Sequence, residues 1–351
     1  MDKPTRSDGN AGTPNIVVLR LSAMGDVAML VPVLRVFKQK YPQYKITMVS
    51  KPAFKALFDE FENLDFIAAE VKGKHKGIRG LVRLTKKILA TRPTALADMH
   101  DVLRSKFVRQ YITAKGIAVK YIDKGREEKK ALIRAENKCF QPLMHTTERY
   151  AQVFDRLGLK LNFEASKAEG IPQKKEKPKE EVYKIGIAPF AAHPAKAYPK
   201  ESMLQVIDAI AKLDHTEIYL FGGGKTESEI LETWANNRSN VHNMAGKLDF
   251  SEELKQIANL AVMLSMDSGN THLAAIYGVP TITLWGVTHP YAGFAPYGQP
   301  LENALLPDLK KYPLIPTSVY GNKYPKGYEN AIGDISPERI VAKVKSILLL
   351  W

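Results

Sequence analysis

The sequence predicts an α/β protein built from two units, each a parallel sheet with crossover helices. Three observations support this prediction. Short β-branched apolar runs alternate with segments of helical spacing in both halves of the chain. A polar, lysine- and glutamate-rich stretch over residues 165–183 interrupts this alternation, as a connection between domains does. The 351 residues also exceed the usual domain length of about 100–200 residues.

The first domain is predicted to span residues 15–164, after a polar N-terminal tail at 1–14 that we expect to be disordered. Its predicted strands are the β-branched runs NIVVLR, KITMVS, FIAAEV, ALADMH and AVKYID. Its predicted helices have apolar residues every three to four positions and cover VAMLVPVLRVFKQKY, AFKALFDEF, GIRGLVRLTKKILATR and HTTERYAQVFDRLGL. We therefore expect strands and helices to alternate throughout this half.

The pattern restarts after the linker at 165–183, and a second domain is predicted over residues 184–335. Its predicted strands are KIGIAPF, EIYLFGG, VMLSMDSG and PTITLWG. Its predicted helices are SMLQVIDAIAKL, KTESEILETWANN with Thr226 as a cap, SEELKQIANL and THLAAIYG. Residues 290–334 are rich in Pro, Tyr and Gly and predict an irregular region. A final helix is predicted at 336–351, with Ser336 as its cap, Pro337 at its first position and an apolar tip packed on the protein. Two Rossmann-like domains facing across a cleft are the expected architecture.

Composition excludes several classes of protein. A content of 45% hydrophobic residues and 9% aromatics argues against global disorder. The single cysteine, Cys139, excludes a disulfide framework and a cysteine-rich zinc site. No run of about eighteen apolar residues occurs, and no apolar signal core follows the N-terminus. We expect a cytoplasmic protein, and attachment to the membrane surface stays open.

The net charge of +14 is concentrated in one part of the chain. Between Lys72 and Lys138 there are 19 Lys and Arg against 6 Asp and Glu. Such a stretch can be a solvated basic face, or it can bind an anionic partner such as a membrane, a nucleic acid or a phosphorylated substrate. Few aromatic residues accompany the charge and no nucleic-acid-binding motif is present, so no nucleic-acid partner is expected.

A first candidate site follows the first strand, in the segment LSAMGD. Ligands of open parallel sheets bind beyond the carboxyl ends of the strands. Gly25 allows close approach of the backbone, and Asp26 stands at the start of the next helix. Asp26 can simply cap this helix, or it can act as a general base on an acceptor hydroxyl. The segment is not a GxGxxG motif and does not indicate a dinucleotide cofactor.

A second candidate site, MDSGNTH, follows a strand of the second half. Small residues at a helix start leave amide N–H groups free to bind phosphate. The same residues also fit an ordinary capped helix, with Asp267 internal and His272 facing the core. Lys196, on the loop after KIGIAPF, is either a surface lysine or a contact for a diphosphate. The glycines after EIYLF allow a nucleotide to approach, and Glu227 or Glu229 can bind ribose hydroxyls or lie on a solvated helix face.

Taken in order, these motifs resemble glycosyltransferase family nine, the lipopolysaccharide heptosyltransferases, over residues 15–350. The matching segments are IVVLRLSAMGDVAMLVPVLRVFKQKYP, the K-x-Y-P of residues 196–199, FGGGKTESEI, residues 243–254, SMDSGNTHLAAIYGVPTITLWGVTHP and ISPERI. The combination of D-[ST]-G-x-x-H-L-A-A with a downstream G-x-P and W-G-x-T is specific for this family.

The resemblance implies a fold of the GT-B type, with acceptor binding in the first domain and nucleotide-sugar binding in the second. It implies inverting transfer without a metal or other cofactor, from a nucleotide-sugar donor that we expect to be ADP-linked. Asp26 matches the catalytic base. The implied donor-binding residues are Lys196, Glu227 or Glu229, Gly246, Asp267, Ser268, Gly269, Thr271 and His272. We expect Ser22, Lys74, Lys76 and Arg79 to bind the acceptor, because the basic segment lies in the half that the family uses for acceptors and its first cations follow the third strand, at the ligand-bearing edge of the sheet.

The expected function is transfer of heptose from ADP-heptose to the lipid-linked inner core of lipopolysaccharide. The expected acceptor is anionic, which suits the basic segment, and the inner membrane surface is a further possible partner. The stretch Ala191–Ala195 lacks the hydroxyl residues and arginine of several relatives, and Tyr198 replaces a tryptophan. Two alternatives therefore stay open: a relative with another donor or acceptor, and a non-catalytic basic binding protein.

Overall fold

The structure is a computed structural model that describes residues 13–172 and 182–349. Most of the predicted tail at 1–14 and the centre of the predicted linker at 165–183 lie outside the described residues, as do the last two residues of the apolar C-terminal tip.

Eleven strands occur in the described part of the chain. They are β1 (Asn15–Leu19), β2 (Lys45–Ser50), β3 (Leu64–Ala68), β4 (Ala95–Asp98), β5 (Ala118–Tyr121), β6 (Tyr183–Ala188), β7 (Thr216–Leu220), β8 (Val241–Asn243), β9 (Val262–Met266), β10 (Thr281–Leu284) and β11 (Ala304–Leu305).

Eleven α-helices accompany the strands in the same described ranges. They are α1 (Met24–Ala28), α2 (Leu30–Lys40), α3 (Gly77–Ala90), α4 (Leu103–Thr113), α5 (Arg126–Ile133), α6 (Thr146–Arg156), α7 (Lys200–Ala211), α8 (Gly224–Ala235), α9 (Phe250–Ala258), α10 (Gly269–Ile276) and α11 (Pro337–Leu348). Helix α11 begins as predicted, because the Ser336 side chain accepts the Arg339 N–H and Pro337 is the first helical residue.

The chain divides into two compact units. The first comprises the described residues up to Ser22 together with Val33–Ile122 and Tyr150–Phe163. The second comprises Ala23–Pro32, Asp123–Arg149 and the described residues from Glu164 onward. Two early segments thus pack with the second unit, including the one that carries Asp26. The predicted boundaries at 164 and 184 stay predictions.

Each unit contains one fully parallel sheet. The first has the strand order β3-β2-β1-β4-β5, and the second has β11-β10-β9-β6-β7-β8. Strands β1, β9 and β10 are buried along their whole length, which explains their continuous apolar sequences. The strand order reverses between β1 and β4 in the first sheet and between β6 and β9 in the second. Ligands of such sheets bind at these reversals, so the loops after these four strands are the candidate ligand-binding loops.

Some elements differ from the sequence prediction. The segment AFKALFDEF was expected to form an α-helix, but a 3₁₀ helix occupies Pro52–Phe58. A 3₁₀ helix rises about 2.0 Å per residue against 1.5 Å in an α-helix, so it covers more length in this short β2–β3 connection. Thr226 is not a cap, because α8 already begins at Gly224. Helices α4 and α5 were not predicted; α5 is mostly charged, whereas the apolar spacing of α4 was overlooked.

Candidate active site

The centre of the candidate site is an ion pair at the strand reversal of the second sheet. Lys196 ends a short 3₁₀ helix after β6, and Asp267 follows β9 directly. The Lys196 Nζ lies 2.8 Å from Asp267 Oδ2, and the two side chains are only 12% and 5% exposed. Thr288 Oγ1 donates a hydrogen bond to the same Oδ2 at 2.9 Å. Lys196 is therefore not an ordinary surface lysine but part of a buried charge network.

The Pro- and Tyr-rich region 290–334 packs against the stem of Lys196. Gly321 has a φ of +82°, and a Cβ there would come within 2.4 Å of Lys196 Cδ. The Ser318 hydroxyl accepts the Gly321 N–H at 3.0 Å and holds this turn. On another side of the loop, a Cβ at Gly286 would lie 2.0 Å from the Ala195 carbonyl oxygen. Two glycines thus make room for the lysine loop, which the sequence did not indicate.

The donor-binding turn expected at 267–272 forms the start of α10. Ser268 precedes the helix in an extended conformation, and its hydroxyl lies 3.0 Å from the Ser265 hydroxyl. Thr271 Oγ1 donates to the Ser268 carbonyl at 2.6 Å. The Oδ1 of Asn270 is buried and has no hydrogen-bond partner among the described residues. Among the described residues no side chain caps α10, and amide groups at such a helix start can bind an anion.

Helix α1, which carries Asp26, packs against α10. A Cβ at Gly25 would lie 2.5 Å from His272 Cδ2, so the imidazole ring rests directly on the Gly25 backbone. His272 is 6% exposed, and its Nδ1 has no partner in the described ranges. Burial lowers the His272 pKa, although the nearby Asp267 and Asp26 carboxylates act in the opposite direction. Burial thus favours the neutral form of the ring.

Asp26 occupies the third position of α1 and is partly exposed. Its Oδ2 accepts the Ala23 N–H at 3.0 Å, which stabilises the helix start. One carboxylate oxygen of Asp26 thus stabilises the start of α1, as the interpretation of Asp26 as a helix cap proposes. A carboxylate held by one oxygen has a defined orientation, which a general base also needs.

Glu227 and Glu229 occupy different environments on α8. Glu227 Oε2 accepts the Gly223 N–H at 2.7 Å and stands close to Gly222, at the carboxyl edge of the sheet. Glu229 is 63% exposed and forms only a loose ion pair with Lys225, at 3.8 Å. Gly246 has a φ of +73° in the turn after β8, with the Ser228 hydroxyl nearby. Glu227, in the first turn of α8, and Gly246, in the turn after β8, thus lie at the same edge of the sheet.

The residues expected to bind the acceptor belong to the first unit. Ser22 follows β1, while Lys74, Lys76 and Arg79 surround the start of α3. The three cationic side chains are exposed, and Lys74 makes one loose ion pair with Glu70, at 3.4 Å. The buried His75 anchors this loop, because its Nδ1 accepts the Glu70 N–H at 3.0 Å.

One further cluster, at the carboxyl end of β4, was missed in the sequence, where ALADMH was taken only as a buried strand. Asp98 is fully buried and accepts the N–H groups of His100 and Asp101 through Oδ1. Arg109 Nη1 lies 3.3 Å from Asp98 Oδ2 and 3.0 Å from Asp101 Oδ1. The Arg109 guanidinium also lies over the Tyr121 ring at 3.8 Å. Two acidic residues next to a buried strand were the available signal. Thr288 was missed too, although it stands in the W-G-x-T motif.

In the described ranges, no three His, Cys, Asp or Glu side chains form a group that could hold a metal ion. No helix in these ranges is both long and apolar enough to cross a membrane.

Comparison with known proteins identifies the family of this chain. The family model of glycosyltransferase family 9 (heptosyltransferase) matches residues 81–318. The lipopolysaccharide core heptosyltransferase OpsX of Haemophilus influenzae is 25% identical over 306 residues, covering 83% of this chain and 84% of its own.

Two solved structures show the same fold. A family 9 glycosyltransferase from Veillonella parvula superposes with a TM-score of 0.71 at 19% identity, covering 97% of this chain and 99% of its own. The E. coli heptosyltransferase WaaC with ADP superposes with a TM-score of 0.68 at 17% identity, covering 95% and 99%. The predicted GT-B fold is confirmed. The chain is a glycosyltransferase and belongs to glycosyltransferase family 9, the heptosyltransferase family.

Proposed function

We propose that this enzyme transfers heptose from ADP-heptose to the inner core of lipopolysaccharide, with inversion and without a metal. The observation that carries the proposal is the buried Lys196–Asp267 pair beside the start of α10, with the helix of Asp26 packed on the same α10. A cation, free helix amides and a carboxylate lie together, which is the set of groups that such a transfer needs.

The leaving group of the reaction is a nucleoside diphosphate, which gains negative charge as the glycosidic bond to the donor sugar breaks. The Lys196 ammonium and the first amides of α10 stabilise this charge, as preorganised donors do in other enzymes. Lys196 leaves or shares its contact with Asp267 when the diphosphate binds. The Oδ1 of Asn270 and the Nδ1 of His272 are polar atoms that a donor can engage.

Asp26 is proposed as the general base. The acceptor hydroxyl oxygen forms the new bond to the anomeric carbon from the face opposite the diphosphate. Its proton passes to the Asp26 carboxylate, and the electrons of the broken bond leave with the diphosphate. One Asp26 oxygen is held by the Ala23 N–H, so the carboxylate is already oriented for this step.

Glu227 is proposed to bind the ribose of the donor, in preference to Glu229. Its carboxylate lies beside Gly222 at the edge of the sheet, while Glu229 points to solvent and pairs with Lys225. Gly222 and Gly246 belong to the two loops that would flank the nucleoside. Ser268, Gly269 and Thr271 complete the proposed donor contacts.

The acceptor is proposed to be an anionic, lipid-linked glycan bound by the first unit through Ser22, Lys74, Lys76 and Arg79. The names of the relatives, heptosyltransferases of lipopolysaccharide and lipooligosaccharide, support this assignment. A cytoplasmic enzyme at the inner face of the membrane would meet such an acceptor.

The decisive experiment measures donor choice and transfer together. Calorimetry with ADP, UDP and GDP identifies the nucleotide, and product analysis with ADP-heptose and a soluble inner-core acceptor identifies the reaction. We expect ADP to bind tightest and heptose to be transferred with inverted configuration in the presence of EDTA. Preference for UDP or GDP, retained configuration, or loss of transfer in EDTA would refute the corresponding part of the proposal.

A separate experiment tests the acceptor residues. Changing Lys74, Lys76 and Arg79 together to Gln should lower transfer at limiting acceptor, and added salt should reduce wild-type transfer in the same way, because screening weakens exposed charges. Donor hydrolysis without acceptor should stay unchanged. Equal loss of both activities, or of neither, would remove these residues from the acceptor site.

A further inference from the structure

An aromatic side chain lies at the start of the loop that carries Lys196. Phe190 stands two residues after the end of β6 and six positions before Lys196. The last four residues of β6 are buried, whereas Phe190 is partly exposed. An aromatic ring that is partly exposed at the carboxyl edge of a parallel sheet can contact a bound ligand with its flat apolar face.

The ring of Phe190 lies beside the loop that follows β7. A Cβ at Gly222 would lie 3.3 Å from Phe190 Cδ2 and 3.2 Å from Glu227 Oε2. The ring comes from the loop after β6 and the carboxylate from the helix after β7, and these two strands are adjacent in the sheet. Gly222 puts no side chain between the two groups, so one ligand can contact both.

Trp234 supports Phe190 from the hydrophobic core of the second unit. The two rings are stacked, with centroids 6.1 Å apart and planes inclined by 25°. Trp234 lies in the last turn of α8 and is 6% exposed, while Glu227 lies in the first turn of the same helix. Packing against this core restricts the motion of the Phe190 ring. A ring that is already restrained loses little conformational entropy when a flat ligand packs on it.

We propose that Phe190 is the stacking platform for the nucleobase of the donor, with Trp234 as the support behind it. Nucleobases are flat π systems, and aromatic side chains bind them by stacking. In a nucleoside diphosphate the ribose connects the base to the diphosphate, and the residues follow the same order. Phe190 borders Gly222 next to Glu227, the proposed ribose contact. Lys196, the proposed diphosphate contact, ends the 3₁₀ helix later in the loop of Phe190.

The platform rests on the proposed function in one respect, because it takes the donor to be a nucleotide sugar. It does not depend on which base or which sugar that donor carries. Every base has a π face, so stacking on Phe190 contributes affinity without selecting the base. The choice of ADP over other nucleotides then comes from groups that hydrogen-bond to the edge of the base.

A phenylalanine that only fills the core would behave differently. Its truncation would lower stability and leave the affinity for a ligand unchanged. Phe66 in β3 of the first unit is a matched comparison, because it is also partly exposed and packs on another aromatic ring. Its ring centroid lies 6.1 Å from that of the buried Phe58, with planes inclined by 32°. Phe66→Ala therefore removes a similar aromatic contact outside the proposed donor site.

The test measures ligand affinity of the full chain by calorimetry. Phe190→Ala should bind ADP about tenfold more weakly than the wild type, which corresponds to about 1.4 kcal/mol and lies within the usual contribution of base stacking. Phe190→Tyr keeps an aromatic face and should restore the affinity for ADP. Inorganic pyrophosphate, measured by competition with ADP, should bind Phe190→Ala and the wild type equally, because it carries no base. Phe66→Ala should keep the wild-type affinity for ADP.

Phe190→Leu covers the case in which the alanine variant is unstable. Leucine keeps most of the apolar volume, so the melting temperature should stay close to that of the wild type. The affinity for ADP should still fall, because leucine has no π face to stack on the base.

Unchanged affinity for ADP in Phe190→Ala and Phe190→Leu would overturn the platform, and so would an equal loss in Phe66→Ala. A loss of pyrophosphate affinity as large as the loss for ADP would assign Phe190 a structural role instead. If the wild type prefers another nucleoside diphosphate, the same comparison applies to that nucleotide. A wild type that binds no nucleoside diphosphate would overturn the proposed function and the platform together, whereas variants that bind as tightly as the wild type would overturn only the platform.

Discussion

The Nζ of Lys196 lies 2.8 Å from Oδ2 of Asp267, and both side chains are largely removed from solvent. The lysine proposed to bind the diphosphate and the proposed donor-binding turn are thus joined directly. Asp267 also accepts a hydrogen bond from Thr288, which fixes the carboxylate that pairs with the lysine. The lysine is thereby kept in place at low exposure, where its charge attracts an anion more strongly than it would on the surface.

Lys196→Ala should weaken ADP binding about ten- to a hundredfold, because a charge-assisted hydrogen bond contributes about 1.5–3 kcal/mol. It should also lower the free energy of unfolding, by about 3–5 kcal/mol for a broken buried pair, since Asp267 keeps its charge without the lysine. Calorimetry and urea denaturation measure the two effects. Lys55→Ala, which removes an exposed ion pair, is the control and should change neither. An unchanged ADP affinity would assign Lys196 a purely structural role.

Thr288→Val should act on the same network more mildly. Valine keeps the shape but removes the hydroxyl that donates to Asp267 Oδ2. We expect a loss of about 1.5–3 kcal/mol in the free energy of unfolding, as for other hydrogen bonds to charged groups, and weaker ADP binding. Thr288→Ser keeps the hydroxyl and should restore ADP affinity. If serine fails to restore it while valine is harmful, packing of the methyl group and not the hydrogen bond is responsible.

Asp26→Asn should reduce heptose transfer about 10²–10⁴-fold, because the amide cannot take up the acceptor proton. The amide oxygen can still accept the Ala23 N–H, so the melting temperature and ADP affinity should stay close to wild type. Transfer kinetics, thermal melting and calorimetry give the three values. Wild-type turnover in this variant would rule out Asp26 as the base.

Gly25→Ala should disturb the contact between α1 and α10. The added Cβ would lie 2.5 Å from His272 Cδ2, and neither the backbone nor the buried ring can yield easily. We expect a loss of about 1–3 kcal/mol in stability from overpacking, with reduced transfer because Asp26 is displaced. Gly73→Ala, where the nearest atom to an added Cβ lies 3.6 Å away, is the control and should keep the wild-type melting temperature. Normal melting and normal turnover in Gly25→Ala would show that the two helices can separate without cost.

His289 should make the protein less stable in acid. Burial, with a smaller contribution from Lys138, lowers its pKa from 6.5 to about 4. Between about pH 6.5 and 4, His289 is protonated in the unfolded chain but stays neutral in the folded chain. The free energy of unfolding therefore decreases as the pH falls through this range. A shift of this size corresponds to about 3 kcal/mol. In His289→Asn, whose side-chain oxygen can still accept the Tyr291 N–H, the decrease should be smaller. Denaturation measured across this pH range gives the free energy of unfolding at each pH. If it decreased equally in the wild type and in His289→Asn, His289 would not be the cause of the acid sensitivity.

Much of the fold could be predicted from local sequence. Parallel strands buried on both faces have continuous β-branched apolar runs, and β1, β2, β6, β9 and β10 were recognised in this way. Elements with weak periodicity were missed. Strand β8 has only three residues, and α5 is mostly charged, so neither has enough apolar positions to show a period.

The sequence also determined which residues are candidates for the site, because Asp26, Lys196 and the turn at 267–272 follow strands where ligands of parallel sheets bind. Which residues contact them was determined by the tertiary structure. The pairing of Lys196 with Asp267 depends on β6 and β9 being adjacent in the sheet, although the two residues are 71 positions apart along the chain. The turn at Gly321 reaches the same lysine from a region without any periodic pattern. Helix α1, which the sequence attached to the first domain, packs on α10 instead, because Gly25 leaves room for the His272 ring. Such contacts join residues that are distant along the chain, and local propensity and periodicity contain no information about distant partners.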